Sequence, residues 1–327
     1  MIIDWEHHFL PEELMLKKGG KKGEQTIVYE LGRPRGNLRP ELSDVDTHLR
    51  VMDSAGIDVA VLSIAVSSDD PDAALEECRI WNDRTAEVVK EYPGRFVGLA
   101  PIPPLGGKKA FDELKRAVEK LGMKGVVIRS QAGGLSMDNK DLYPFYQRVS
   151  ALNVPIFIHP SGVQQGMSIL DAPYDLGRSI GRELDLIVAT TRLILSGVLD
   201  DFSDLKFVIS HKGGGIAAIR ERIEYQFGST GWPGTRPEGS GNRSSFDQCL
   251  GRLYFNLAGS HGGMGAVRCA LTAISPQRLI FGTDYPQEFS TDPENMKTYI
   301  DNIRKLEIDE ESKQAMLGGN ARALLGL

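Results

Sequence analysis

Cysteine is scarce in this chain: Cys78, Cys249 and Cys269 are the whole complement of 327 residues. They show no Cys-x-x-Cys or Cys-x-x-His spacing, which excludes a disulfide framework and a thiolate metal site and suits a reducing compartment. A surplus of positive charge is also missing. Lys and Arg total 38 against 44 Asp and Glu, a net charge of −6, which argues against nucleic acid as a partner. The lysines at 17, 18, 21 and 22 are interrupted by glycines and read as a solvated loop. No apolar run approaches the ~18 residues of a membrane span. Asp4 and Glu6 stand where a signal peptide needs an apolar core. The expectation is a soluble cytoplasmic protein with no membrane partner. No Gly-x-Gly-x-x-Gly follows the first apolar strand, which weakens a dinucleotide-binding open sheet.

What the chain does have is a repeated alternation. Short apolar runs near residues 2–8, 57–63, 96–100, 125–128, 155–158, 206–210, 253–255 and 279–282 read as strands. Helical patterns lie between them, over 71–92, 108–121, 143–152, about 185–199 and 263–274, with one more ending near 227. A helix capped by Ser43 or Asp44 and stopped by Gly56 follows the first strand. Eight strands alternating with helices favour an all-parallel sheet closed as a (β/α)8 TIM barrel, with a doubly wound open sheet as the alternative. No linker divides the chain, so one domain over 1–327 is expected. Loop insertions at the C-terminal face would cover 17–40, with a small β-hairpin near 25–29, and also 161–183 and 228–243. Such loops shape the substrate pocket.

The polar residues at the strand ends carry the chemistry. Glu6 and His8 are two apart in an extended segment, so both reach one point while His7 faces away. His159 ends the fifth strand, His211 the sixth and Asp284 the eighth. Each has an ordinary structural role open to it: His159 as a hydrogen-bonded core residue, His211 as a helix start, Asp284 in a turn. In a barrel these ends meet at one mouth, where Glu, His, His and Asp suit one divalent cation with positions left for water or substrate. A second ion would need a bridging lysine at the end of strand four. That strand ends in Arg129-Ser130, and Lys124 lies at its other end. Arg129 would hold an anionic substrate group or form a surface ion pair. His261 follows strand seven and is a candidate for the mouth. Tyr285, Phe9 and Trp232 are candidate pocket-wall aromatics. His48 reads as helix surface or packing, and Asn82, Asp83 and Arg84 as outer-face or subunit contacts.

These residues resemble a known family. Ile3-Asp4-Trp5-Glu6-His7-His8-Phe9-Leu10-Pro11, Met52-Asp53-Ser54-Ala55-Gly56-Ile57, Ile158-His159-Pro160, Ser210-His211-Lys212-Gly213-Gly214 and Phe281-Gly282-Thr283-Asp284-Tyr285-Pro286 are similar to the amidohydrolase-superfamily metal-dependent decarboxylases. Those proteins include aminocarboxymuconate semialdehyde and γ-resorcylate decarboxylases. Many members have His-x-His at the first motif, whereas this chain has Glu6-x-His8. That looks like the branch acting on hydroxylated benzoates with manganese or zinc. The resemblance implies that Glu6, His8, His159 and Asp284 hold one Mn2+ or Zn2+ ion, with His211 and Asp284 as candidate acid–base groups. Where the semialdehyde branch has a substrate-binding arginine, this chain has His48, which points away from that substrate. The implied activity is non-oxidative decarboxylation of a small ortho-hydroxylated aromatic or related unsaturated carboxylic acid by a homodimer or homotetramer. A hydrolase or hydratase acting on a lactone or unsaturated diacid uses the same scaffold, and a non-catalytic binding barrel is the third reading.

Overall fold

The computed structural model describes residues 1–30, 33–66, 68, 70–161, 170, 174, 176–228 and 244–327. Eight parallel strands form one sheet in chain order: β1 (Ile3–His8), β2 (Val59–Ser63), β3 (Phe96–Pro101), β4 (Gly125–Arg129), β5 (Ile156–His159), β6 (Phe207–Ile209), β7 (Tyr254–Asn256) and β8 (Leu279–Ile280). The seam between β8 and β1 is sealed beyond the short β8 ladder. Trp5 N donates to Phe281 O at 3.0 Å, Asp284 N to Glu6 O at 2.8 Å and His8 N to Tyr285 O at 2.6 Å. The expected α/β barrel is therefore present.

Near-continuous apolar runs form these strands because both faces are buried. Ile3, Trp5, Val59, Val61, Val97, Leu99, Val127, Phe157, Val208 and Ile280 make one interior cluster. Alternate residues of the same strands, among them Ala60, Leu62, Ile128, Ile158 and Ile209, pack in a second cluster with the surrounding helices. Because all eight strands run parallel, their last residues gather at one mouth.

Local signals set the helices as expected. The Val45–Ala55 helix begins at Asp44, whose side chain accepts from Thr47 N, and ends at Gly56 with φ 76°. Pro71–Glu91, Gly107–Glu119 and Tyr143–Leu152 follow. The expected helix over 185–199 begins earlier, as Arg182–Ser196, and breaks at Gly197 with φ 88° before Val198–Asp201. Asn82 departs from its expected outer-face position: it is fully buried and its Nδ2 donates to Glu113 Oε1 at 2.7 Å. Asp83 and Arg84 are exposed. The insertion after β1 carries the antiparallel hairpin Thr26–Glu30 with Arg33–Leu38. No helix among the described residues is long and apolar enough to cross a membrane.

Candidate metal centre at the barrel mouth

Strand β1 supplies the first two side chains through an irregularity. Its register against β2 shifts between Asp4 and His7, which is how a bulge re-aims side chains. Trp5 packs in the barrel interior, while Glu6 and His8 both serve the mouth. His7 turns away, its Nδ1 2.8 Å from Asp4 Oδ2 and its Nε2 2.7 Å from His48 Nδ1. Asp4 also accepts from Thr283 N at 2.9 Å and Thr283 Oγ1 at 2.6 Å. This buried net ties β1 to the Val45–Ala55 helix and to the residue before Asp284. His48 is thus a packing residue, 1% exposed. Burial and the nearby His7 push its pKa down to about 3, so it stays neutral.

Glu6 Oε1, His8 Nε2 and His159 Nε2 converge: Glu6 Oε1 is 3.9 Å from the first nitrogen and 3.6 Å from the second. These atoms all lie within 4.8 Å of one another. Two ligands of one ion, each bound at ~2.1 Å, stand at most ~4.2 Å apart, so both separations fit a shared cation. Each imidazole is turned by its other nitrogen. His8 Nδ1 sits 3.1 Å from Ser63 O and His159 Nδ1 3.0 Å from Pro160 O, which assigns the proton to Nδ1 and presents Nε2, as outer contacts do in metal sites. Glu6 is fully buried and held by Ser210 Oγ at 2.9 and 2.8 Å and by Asn256 Nδ2 at 2.5 Å. Burial is the main reason its pKa is raised.

Asp284 flanks the triad. Its Oδ1 is 2.7 Å from His8 Nε2, and its Oδ2 is 3.8 Å from His211 Nε2. Burial alone would lower the pKa of His8, but the hydrogen bond and charge of Asp284 outweigh it and raise it to about 9. The contact is an imidazolium–carboxylate pair whose proton a divalent cation would replace. Burial also opposes the charge on Asp284, yet its histidine neighbours win and its pKa falls. His159 is driven well below its ordinary value by burial and by the charge of His8.

His211 is held by a strained turn. His211 and Lys212 have φ of 47° and 56°, and Gly213, Gly214 and Gly215 continue in the left-handed region. That conformation costs a non-glycine residue roughly 1–2 kcal/mol. A Cβ on Gly214 would lie 2.0 Å from Glu183 O, and one on Gly259 would lie 2.3 Å from the His211 ring, so both positions must be glycine. His211 N donates to Asn256 Oδ1 at 3.1 Å, while His211 Nδ1 is 2.8 Å from Glu183 Oε1. Its Nε2 is buried without a hydrogen-bond partner among the described residues. Burial opposes its protonation, but the Glu183 bond and the charges of Glu6, Glu183 and Asp284 together raise its pKa. Lys212 Nζ reaches Ala258 O, Leu257 O and Ser260 Oγ, stitching the turn to the loop after β7.

Above the cluster lies a cleft of about 620 Å3. Asp284 and His211 are at its base, with Glu183, Gly259, Gln287 and Glu288; Arg39, Arg178 and Arg182 supply its positive charge. The hairpin insertion forms one wall through Gly36 and Asn37, with Gln287 Nε2 donating to Asn37 O at 3.3 Å. Arg129 pairs in register with His159 at the end of β4, but the cationic lining comes from the three other arginines. His261 is also outside that lining. It is half-exposed, its Nε2 is 3.0 Å from Asp292 Oδ2 and its ring stacks on Phe289 at 4.5 Å. Tyr285, expected in the pocket wall, is 1% exposed and packs behind the site, 5.0 Å from His7 and 5.4 Å from His48 between ring centres. The left-handed φ of 60° at Asp284 sends the chain that way. Phe9 is likewise core, and Trp232 lies outside the described residues.

Sequence reasoning missed Glu183, Ser210, Asn256 and the three cleft arginines. Asn256 was within reach of it, as the polar residue directly after the apolar run of β7. Glu183 begins a helix after a long loop, and no spacing rule connects it with His211.

The sequence and fold are similar to those of proteins of known activity. A γ-resorcylate decarboxylase of Polaromonas sp. strain JS666 is 29% identical, covering 99% of this chain and 98% of that protein. A 2-amino-3-carboxymuconate-6-semialdehyde decarboxylase of Dictyostelium discoideum is 27% identical, covering 87% and 77%. A crystal structure of a dihydroxybenzoic acid decarboxylase from Polaromonas sp. JS666, with bound manganese and 2-nitroresorcinol, superposes with a TM-score of 0.79 at 26% identity over 100% of this chain and 97% of that one. The sequence pattern described as amidohydrolase runs from residue 3 to residue 327, and with Glu6, His8, His159 and Asp284 all gathered at the mouth of the barrel this chain belongs to the amidohydrolase family.

Proposed function

We propose that this chain, as one domain over 1–327, is a metal-dependent, non-oxidative decarboxylase of a small ortho-hydroxylated aromatic acid. The observation that carries the reading is His211 Nε2, a buried nitrogen without a hydrogen-bond partner among the described residues, backed by Glu183 and set beside Asp284 over the metal-type triad. Glu6, His8, His159 and Asp284 hold the ion, and manganese is favoured because the Polaromonas structure contains it. The bound ion supplies positive charge that orients the acid and stabilises negative charge on its oxygens.

The remaining steps belong to the protein. Glu183 favours the protonated form of His211, and His211 Nε2 delivers its proton to the ring carbon that bears the carboxylate. The C–C bond then breaks, carbon dioxide leaves, and the bonding electron pair returns to the ring and restores its aromaticity. His211 takes a new proton from solvent. Asp284, whose Oδ2 stands 3.8 Å from His211 Nε2, helps hold the protonated imidazole against the substrate face. The cleft of about 620 Å3 is large enough for one aromatic ring. Resemblance to the decarboxylases also supports a cytoplasmic homodimer or homotetramer joined through outer helices, which light scattering would measure.

The test is metal analysis followed by a screen of ortho-hydroxybenzoates with the manganese-loaded protein. Carbon dioxide release, with one solvent deuteron at the vacated carbon, is the expected result. Product that has gained water instead of losing carbon dioxide would replace this reading with a hydratase or hydrolase. Absence of metal and of turnover would leave a binding barrel.

A further inference from the structure

The chain after β5 leaves the metal-type triad through His159, Pro160 and Ser161, and it is gripped at both ends. Ser130 N, just past β4, donates to His159 O at 2.8 Å. Ser161 N donates to Asp185 Oδ2 at 2.7 Å and to Ser130 Oγ at 2.9 Å. Asp185 stands in the first turn of the Arg182–Ser196 helix and is 1% exposed. Its carboxylate also accepts from Ser130 Oγ and, through Oδ1, from Gln131 Nε2 at 2.8 Å. One buried side chain thus collects donors from the ends of two neighbouring strands.

The Pro160–Ser161 peptide carries the consequence to the metal site. A trans peptide is planar, with its N–H and C=O on opposite sides, so a Ser161 N–H turned to Asp185 sends Pro160 O the other way. Pro160 O is the atom 3.0 Å from His159 Nδ1, the contact that leaves Nε2 to face Glu6. The helical turn that carries Asp185 is itself fixed. Side chains two apart on a helix point about 200° from each other, and Glu183 reaches away from Asp185 to His211 Nδ1 at 2.8 Å. The left-handed run after β6 closes on the same turn, since a Cβ on Gly214 would lie 2.0 Å from Glu183 O.

We propose that Asp185 is a positioning residue of the metal centre: by fixing the Pro160–Ser161 peptide it sets the His159 ring for coordination. This rests on the reading of Glu6, His8, His159 and Asp284 as ligands and extends it to a residue one peptide removed from them. Manganese competition against a chromophoric chelator and the visible spectrum of the cobalt-loaded protein, which reports coordination geometry, are read on D185L, D185N and Q131L. The melting temperature of each metal-free protein measures damage to the fold. D185L removes the acceptor of Ser161 N and should bind manganese about 10- to 100-fold more weakly, with an altered cobalt spectrum. D185N offers a neutral oxygen, a weaker acceptor than a carboxylate, so its loss should be at least ~3-fold but smaller than that of D185L. Q131L takes away a bond to the same carboxylate and leaves the one from Ser161 N. It should lower the melting temperature while manganese affinity and cobalt spectrum stay near wild type. If the leucine variant does not fold, D185N against Q131L decides. Wild-type manganese affinity in D185N, or equal losses in D185N and Q131L, overturns the assignment. So does wild-type protein that takes up no manganese, because no ligand is then there to position. Variants that lose manganese in the expected order, with no carbon dioxide released by the wild type, uphold the role of Asp185 and remove only the decarboxylase reading.

Discussion

Replacing Asn256 by leucine tests whether the cation site depends on the groups behind its ligands. Asn256 is fully buried. Its side chain donates to Glu6 Oε2 at 2.5 Å and accepts from His211 N and Ala258 N, each at 3.1 Å. Leucine has similar volume and none of these bonds. Losing one hydrogen bond to a buried carboxylate costs about 1.5–3 kcal/mol, which at ~1.4 kcal/mol per decade is a 10- to 100-fold loss of metal affinity. That agrees with the ~10–100-fold typical of outer contacts to metal ligands. The two backbone N–H groups left unpaired cost a further ~1–3 kcal/mol each, so the metal-free variant should melt roughly 5–10 °C below wild type. Manganese competition against a chromophoric chelator reads the affinity, and scanning calorimetry of the metal-free protein reads the stability. The affinity deficit should shrink at higher pH, because burial already raises the pKa of Glu6 and Asn256 helps keep it ionised. An N256L protein that binds manganese with wild-type affinity would refute the account of how Glu6 is held.

Replacing Glu183 by glutamine removes the carboxylate that raises the pKa of His211. The alkaline limb of kcat/KM should then move to lower pH and kcat fall about 10- to 100-fold; a pH profile identical to wild type would exclude His211 as the proton donor. Asp284→Asn should weaken manganese binding and lower carbon dioxide release with it, with metal content and rate measured on the same sample. His48 gives an acid-stability prediction. Its pKa is about 3 in the folded protein against an ordinary 6.5, so its contribution is whole above pH 6.5 and is lost as pH falls toward 3. At pH 5 the loss is roughly 2 kcal/mol, and His48→Gln should melt with a shallower acid dependence between pH 6.5 and 4.

The barrel was legible because its strands are buried on both sides and so are written as apolar runs, most of them broken by a polar residue where the mouth begins. Glu6, His8, His159 and Asp284 stand at those breaks. A one-dimensional pattern registers such a break but not the contacts that orient it. Asn256 and Ser210 meet Glu6 only through the curvature of the sheet. Tyr285 misled for the opposite reason: it follows Asp284 in sequence, and the left-handed backbone at Asp284 turns it into the core. Arg39, Arg178 and Arg182 belong to insertions, whose positions are set by loop geometry that hydrophobic periodicity does not encode.

Closure of the cylinder at the β8–β1 seam also bears on how the protein matures. Glu6 and His8 lie in the first strand of the barrel and are made before Asp284, which follows the last. The hydrogen bond from Asp284 N to Glu6 O at 2.8 Å lies in the same seam that brings these ligands together. A nascent chain that has not reached the last strand therefore holds an incomplete coordination set. Tight metal uptake then becomes a late event that stabilises only the finished fold.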